Sequence, residues 1–253
     1  DYSAGSKVLH TNTMQIFTTD VKVSMSQQAT ATYGAKSLQH ELMKGAKEHA
    51  LDIEYALLGL GNATVFSDKT DRVANTTAGR MASIFKFIPE ANKINFSTAT
   101  AGSEVANTAT ALTYDLFQSI LEPIWQEGGM ANAVYVGPAI KKVINGFGTA
   151  AGTVSRVIND ESNYDPRVTK VSTDFGIVDV KLHRFFTASH DTGVNELTSG
   201  DPVNMDSVIL AGDFSTCTVR NLIPTKLEPV SSSDTATVKR YYTECTLEVL
   251  NPD

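Results

Sequence analysis

An extended segment followed directly by a long helix constrains this chain more than any other feature of its sequence. Within residues 1–34 apolar residues alternate with Lys or Ser, and the apolar ones are Val21, Val23 and Met25. This is the two-residue period of a half-buried strand. Fully extended, residues 13–30 would reach ~60 Å at about 3.3 Å per residue. One compact core does not need that length, so we predict an arm that lies on another molecule, with an edge hairpin on the parent domain as the alternative.

Residues 36–58 predict one long amphipathic helix. Lys44 and Glu48 can pair one turn apart, and Gly59 stands where a helix-ending glycine is expected. Gly45 lies inside the helix and costs up to ~1 kcal/mol relative to alanine, which a close contact would explain. The apolar stripe of this helix consists of Leu38, Leu42, Ala46, Ile53 and Leu57.

A second long helix is predicted over residues 103–127, where apolar residues recur at helical spacing. Ser103 is its expected cap, Pro123 is expected to kink or break it, and Gly128–Gly129 is expected to end it.

The remainder of the chain has mostly strand-like patterns. Ala133–Val136 predicts a short strand, and Pro138 opens a helix that is expected to reach Asn145. The order of arm, two helices and then mainly β structure predicts an α+β fold. Further strands are predicted at residues 154–158, 168–173, 177–186, 207–211, 216–223 and 239–250.

The acidic composition argues against several function classes. The formal net charge is −7, so no broad phosphate-binding face for nucleic acid is expected. The chain could still enclose DNA, because like charge discourages adhesion to a wall. No apolar run approaches the ~20 residues of a membrane span, and the first residues do not read as a signal peptide. Cys217 and Cys245 lack partners at zinc-ligand spacing and are predicted to be free thiols.

Several chemical motifs occur in the wrong context. Residues 174–176 spell the kinase triplet Asp-Phe-Gly, but the other kinase motifs are missing, and a turn between two strands is the simpler interpretation. Residues 146–151 fit a relaxed dinucleotide fingerprint but follow a helix, not a strand. His40 and His49 do not have the spacing of a metal pair. We therefore predict no catalytic, cofactor-binding or metal-binding residue, and no cofactor.

Large aromatic residues stand near the ends of predicted elements. For Trp125 and for the Tyr241–Tyr242 pair, packing in the core is the preferred interpretation. A position in a subunit interface is the alternative, because Trp and Tyr are enriched there.

Several segments together resemble a known family in the order in which they occur. The first is NTMQIFTTDVKVSMSQQATATYG at residues 12–34, and the last is KRYYTECTLEVLNPD at residues 239–253. Between them stand DIEYALLGLGNAT at residues 52–64, TAGRMASI at 77–84, WQEGGMANAVYVGPAIKKVI at 125–144 and STDFGIVDVKLHR at 172–184. They resemble the arm, spine helix, Gly-Arg-Met segment, axial strand and helix, Asp-Phe-Gly hairpin and closing strand of Hong-Kong-97-type major capsid proteins of tailed bacteriophages.

This resemblance implies a fold with an extended N-terminal loop, a long spine helix, and peripheral and axial domains. It places the arm and extended loop in residues 1–34, and the spine helix and peripheral domain in 35–130 together with the closing strand 236–253. The axial domain would then be 131–235. The expected contacts with neighbouring subunits are Phe17, Val21, Val23, Met25 and Tyr33.

The function implied is a shell subunit of the virion. Copies of the chain would form hexamers and pentamers of an icosahedral or prolate head that encloses double-stranded DNA, assembled in the host cytoplasm. Further partners would be scaffold, portal and decoration proteins, and no membrane is expected. The alternatives are an encapsulin-like protein compartment, an α+β enzyme with an unrecognised site, and a tail or adhesin component that forms trimers or rings.

Overall fold

A computed structural model describes most of the chain. The described residues are 9–30, 37–60, 68–74, 76–89, 92–95, 100–101, 111–147, 168–187, 205–231 and 235–250. The expected strand at 154–158 and Tyr33 lie outside them.

The named elements of the described residues are four α-helices, nine strands and three short 3-10 turns. The helices are α1 (Met25–Ala29), α2 (Ser37–Leu57), α3 (Tyr114–Gln126) and α4 (Pro138–Phe147). The strands are β1 (Gln15–Ser24), β2 (Ile94–Asn95), β3 (Thr100–Ala101), β4 (Ala133–Val136), β5 (Lys170–Thr173), β6 (Gly176–Leu182), β7 (Ile209–Gly212), β8 (Cys217–Val230) and β9 (Ala236–Val249).

The chain divides into two compact units. The first unit combines residues 1–59, 66–86 and 218–248, and the second combines 60–65, 87–217 and 249–253. This division differs from the domain boundaries expected from the sequence in two places. The helix α3 belongs to the second unit, whereas it was expected in the peripheral segment 35–130. The strand β8 belongs to the first unit, whereas it was expected in the axial segment 131–235.

The first unit is a helix packed on a three-stranded sheet in the order β1-β9-β8. β1 and β9 pair antiparallel along their lengths, from Gln15 opposite Cys245 to Ser24 opposite Ala236. Helix α2 packs against β1. Odd-numbered residues of the two strands face the helix, which explains why Val23, Thr243 and Cys245 are buried while Lys22 and Ser24 are exposed.

Helix α2 approaches β1 so closely that a side chain at Gly45 would not fit. A Cβ atom at that position would lie 2.5 Å from Cγ2 of Val21, well inside van der Waals contact. The close contact expected for this glycine is therefore confirmed, and the neighbour is a strand. Gly59 ends the helix with φ at 72°, as predicted, and the Lys44–Glu48 pair forms at 3.8 Å.

The second unit is built on a four-stranded sheet in the order β5-β6-β4-β7. β4 runs parallel to β6 and antiparallel to β7. Gly137 joins β4 to α4, and a Cβ there would lie 2.4 Å from the Asp206 carbonyl oxygen. Helices α3 and α4 bury a common core with the sheet, formed by Leu112, Phe117, Leu121, Val134, Val136, Ile140, Ile144, Val171, Val178 and Val180.

Helix α3 is shorter than the sequence predicted. It begins at Tyr114, where the Thr113 hydroxyl accepts a hydrogen bond from the Leu116 N–H at 3.2 Å. Leu112 and Thr113 are not helical, so the expected continuous helix from Ser103 is wrong. The expected break near Pro123 is also wrong, because the helix continues to Gln126. A proline in the last turn removes only one intrahelical hydrogen bond.

The strands predicted on the described residues are confirmed in position but not always in length. β4 has the expected bounds, and α4 opens at Pro138 as predicted. β8 continues to Val230, well beyond the expected end at residue 223, while β6 ends at Leu182 instead of 186.

Candidate functional site

Most of the arm residues expected at a subunit interface lie in the core of their own chain. Phe17, Val21 and Val23 are buried in the first unit, where β9 and α2 cover them. Met25 is 58% exposed. These three side chains are therefore covered by their own chain, as the alternative of a place on the parent domain expected, but β1 pairs with β9 and does not form the expected edge hairpin. The sequence did not reveal that the last strand of the chain would pair with this arm.

A chain of polar side chains crosses the interior of the first unit. His49 is 2% exposed, and its Nδ1 lies 2.9 Å from the Thr19 hydroxyl of β1. Its Nε2 lies 2.7 Å from the Thr243 hydroxyl of β9, which in turn lies 2.8 Å from the hydroxyl of Thr225 on β8. Burial lowers the pKa of His49, and Asp52 opposes this effect only in part. The imidazole therefore ties the helix to all three strands in its neutral form.

The opposite face of the same sheet carries cross-strand ion pairs. Arg240 donates two hydrogen bonds to the Asp20 carboxylate, at 2.6 and 2.8 Å. This contact lowers the pKa of Asp20. Arg220 and Glu248 form a second ion pair between β8 and β9. Because these pairs are partly exposed to solvent, water and salt screen them and their contribution to stability is small.

Strand β8 leaves large apolar side chains in contact with solvent. Leu222 is 62% exposed, and Val219 and Leu227 are also exposed. The sequence did not predict these exposed side chains. Pro224 and Pro229 interrupt the β pattern, and the predicted strand ended at residue 223. The signal that could have found them is the recurrence of Val or Leu between polar residues through the whole of residues 217–230.

The sequence motifs that suggested chemistry have structural roles. Residues 174–176 form the β5–β6 turn, with Gly176 at φ 125°, which confirms the turn interpretation. Cys217 and Cys245 are free thiols, as predicted, and burial raises the pKa of both. Burial lowers the pKa of Lys141, whose ammonium donates to the Val180 carbonyl at 3.1 Å and so fastens α4 to the sheet.

Among the described residues, no group of three or more His, Cys, Asp or Glu side chains is arranged to hold a metal ion. None of the described helices is long and apolar enough to cross a membrane.

The core position preferred for Trp125 is wrong. Its indole is 59% exposed and contacts the Phe175 ring, with centroids 6.0 Å apart. The sequence contained a signal for this exposure. Trp125 stands between two charged residues, Glu122 and Glu127, in the last turn before the glycines that end the helix.

Comparisons with known proteins place these features in one family. The model of the family described as SU10 major capsid protein matches residues 1–253. A comparison with curated protein sequences finds no match. Among solved structures, the chain is similar to one from Gordonia phage Cozz, at 12% identity and a TM-score of 0.52 over 100% of this chain and 75% of that chain.

Two further structures are similar to this chain. One is from Microbacterium phage Oxtober96, at 12% identity and a TM-score of 0.52, covering 98% of this chain and 71% of that one. The other is the holo-SrpI encapsulin complex from Synechococcus elongatus PCC 7942, at 11% identity and a TM-score of 0.54, covering 94% of this chain and 71% of that one. At these identities the likeness concerns the fold alone.

Proposed function

The chain belongs to the SU10 major capsid protein family, and from this premise we propose that its copies form the hexamers and pentamers of a closed phage head around double-stranded DNA. The observation that carries the proposal is the family match along residues 1–253. The resemblance read from the sequence is thereby confirmed, together with the Hong-Kong-97-type fold, which the phage chains above share. Rings of heterologous contacts that close on themselves are the symmetry such a shell requires.

The two units correspond best to the two domains of this fold. We propose that the first unit is the peripheral domain with the spine helix α2, and that the second unit is the axial domain around capsomer centres. The first unit suits a wall element, because α2 is a stiff rod of ~30 Å fixed to β1, β9 and β8 by the His49 chain.

Neighbouring copies would meet on the exposed apolar side chains of the first unit, not on the buried ones. Met25, at the start of α1, is 58% exposed, and Leu222 of β8 is 62% exposed. Burying one such side chain contributes roughly 1.5–3 kcal/mol. Contacts of this size are weak singly and strong when a closed shell repeats them.

The test is assembly of Leu222→Asp, followed by negative-stain electron microscopy and sedimentation. We expect soluble, folded subunits or capsomers and a loss of closed shells. Leu182→Asp is the matched control, because Leu182 has a similar exposure of 60% but lies in the second unit, and it is expected to assemble. Closed shells from Leu222→Asp at wild-type yield would remove the β8 surface from the proposal. Trimers or small rings from the unaltered chain would contradict the shell itself.

The encapsulin likeness supports a second candidate of the same architecture. Purified shells separate the two, since a phage head holds DNA and a compartment holds a protein cargo. We also propose that the chain is not an enzyme, that it assembles in the host cytoplasm, and that scaffold, portal and decoration proteins are its partners. A turnover abolished by substituting one polar side chain would contradict the first of these.

A further inference from the structure

An aromatic patch stands out on the surface of the second unit. It consists of Trp125 at the end of α3 and Phe175 in the β5–β6 turn. Trp125 is 59% exposed, and its indole contacts the half-buried ring of Phe175, with centroids 6.0 Å apart. Large apolar side chains gathered on a surface mark contact sites, and Trp is the residue most enriched among binding hot spots.

The chain holds this patch in a defined geometry. The helix end at Trp125 closes with a Schellman motif, because the Gly128 N–H donates to the Trp125 carbonyl at 3.0 Å and the Gly129 N–H to the Ile124 carbonyl at 2.8 Å. Gly128 has φ at 83°, so a larger residue would strain this end. A rigid platform loses little entropy when a partner binds.

Hydrogen bonds between α3 and the turn fix the other side of the patch. The Gln118 amide donates to the Asp174 carboxylate at 3.3 Å, and the Tyr114 hydroxyl donates to the Ser172 carbonyl at 3.3 Å. Trp125 and Phe175 are thus brought together by elements that are far apart in the sequence.

Carboxylates border the patch. Glu122 lies one helical turn before Trp125 and so shares its side of α3, and Asp174 is next to Phe175. The described partners of both carboxylates are neutral amides, of Gln126 at 2.9 Å and of Gln118 at 3.3 Å, so their charges are available to a cation. A cation is attracted to the face of an indole, and adjacent carboxylates favour its approach.

From this arrangement we infer that the patch binds a basic polypeptide segment of another protein, one that carries Lys or Arg beside an apolar side chain. The apolar side chain would rest on Trp125 and Phe175, and the cation would lie between the indole and the carboxylates of Glu122 and Asp174. The same patch of a second copy is disfavoured as occupant, because it would bring like charges together in a chain whose net charge is already −7. This inference goes beyond shell formation.

Trp125 is the single tryptophan of the sequence, so its fluorescence reports directly on the patch. In the unaltered protein we expect caesium ion to quench Trp125 fluorescence more strongly than iodide at equal ionic strength, as an acidic border requires. A short peptide of alternating Lys and Leu should shift the emission to the blue and protect it from acrylamide. The same peptide with Glu in place of Lys should do neither. Equal quenching by both ions, or no response to the Lys peptide, would overturn the inference.

Variants localise the binding when the peptide itself carries the dye. Trp125→Ala is expected to weaken binding roughly 30-fold or more, as the loss of a hot spot does. Glu122→Gln with Asp174→Asn is expected to weaken it about tenfold at low salt and less at high salt. The matched control is Glu48→Gln with Asp52→Asn on α2, which removes the same charge elsewhere and should change nothing. If the control weakens binding equally, the peptide responds only to net charge and the patch is not the site.

The accessibility of Trp125 in assembled shells shows whether the patch binds another protein or a second copy of this chain. If shells assembled from this chain alone leave Trp125 as accessible to acrylamide as in the subunit, the patch is free for another protein, as inferred. If assembly shifts the emission to the blue and abolishes quenching, the patch lies between copies and the inference is wrong. Electron microscopy of the same samples reports separately whether shells form, so the proposed function can fail or hold independently.

Discussion

Removing the arm tests how far the first unit depends on β1. A chain that begins at Ala35 would lack the strand that pairs with β9 along ten residues. It would also lack Phe17, Val21 and Val23, which are at most 7% exposed. At roughly 1.5–3 kcal/mol for each buried side chain, their loss costs on the order of 5–9 kcal/mol. That is comparable to the whole stability of a typical domain, about 5–15 kcal/mol, so we expect the first unit to unfold.

Circular dichroism and urea denaturation measure this outcome. The second unit keeps its own core around Phe117 and Ile140, so we expect partial loss of ellipticity and one remaining cooperative transition. Lys22→Ala is the control within the arm, because Lys22 is exposed and its removal should leave the urea midpoint nearly unchanged. Two results would refute the reasoning. One is a truncated protein that shows the same urea transitions as the full chain, and the other is a truncated protein that builds shells of normal size. β1 would then be a dispensable arm.

Three further predictions follow from single positions. Gly45→Ala is expected to lower the free energy of unfolding by about 1–3 kcal/mol through overpacking on Val21. Gly146→Ala, at a helix position where an added Cβ would meet no atom of another element within 4 Å, should be neutral or stabilising by up to ~1 kcal/mol. Equal urea midpoints would contradict the close helix contact. Because the pKa of His49 is lowered by burial, the unfolded chain binds the proton more readily, so stability should be unchanged above about pH 6.5 and fall as the pH drops below it. His49→Gln should flatten that dependence in urea titrations, and His40→Gln should not. Gly137→Ala places a Cβ 2.4 Å from the Asp206 carbonyl oxygen, so thermal denaturation should show a loss of more than ~1 kcal/mol.

The spacing of apolar residues was sufficient to predict the elements that have one continuous apolar face. The stripe beginning at Leu38 predicted α2 almost to the residue, and the glycine expected to end that helix has the required positive φ. The second long helix failed for a physical reason, since the apolar spacing around Leu112 continues although the backbone at Thr113 is extended to cap α3. Burial of Leu112 in the core of the second unit keeps the spacing apolar without a helix.

The surfaces were harder to predict than the elements. An apolar residue in a strand pattern indicates only that something covers it, and the sequence cannot say whether the cover is the same chain or another. Val21 and Val23 are covered by α2 of the same chain, whose Gly45 lies against Val21, while β9 pairs with their strand more than 200 residues later. For Trp125 the error was the reverse, because a large aromatic residue was taken for core although its helix side is bordered by carboxylates. Tertiary packing decides both cases, and no local pattern encodes it.

The pairing of β1 with β9 also fixes when the first unit can fold during synthesis. Asp20 and Arg240, which form an ion pair in that sheet, are separated by 220 residues. At about 5–20 residues per second, a ribosome needs roughly 10–45 s to make the intervening chain. Until then β1 has no β9 to pair with, while the second unit, contained mainly in residues 87–217, can already fold. A nascent or prematurely ended chain therefore lacks the finished first unit, and on the function proposed above it is not competent to enter a shell.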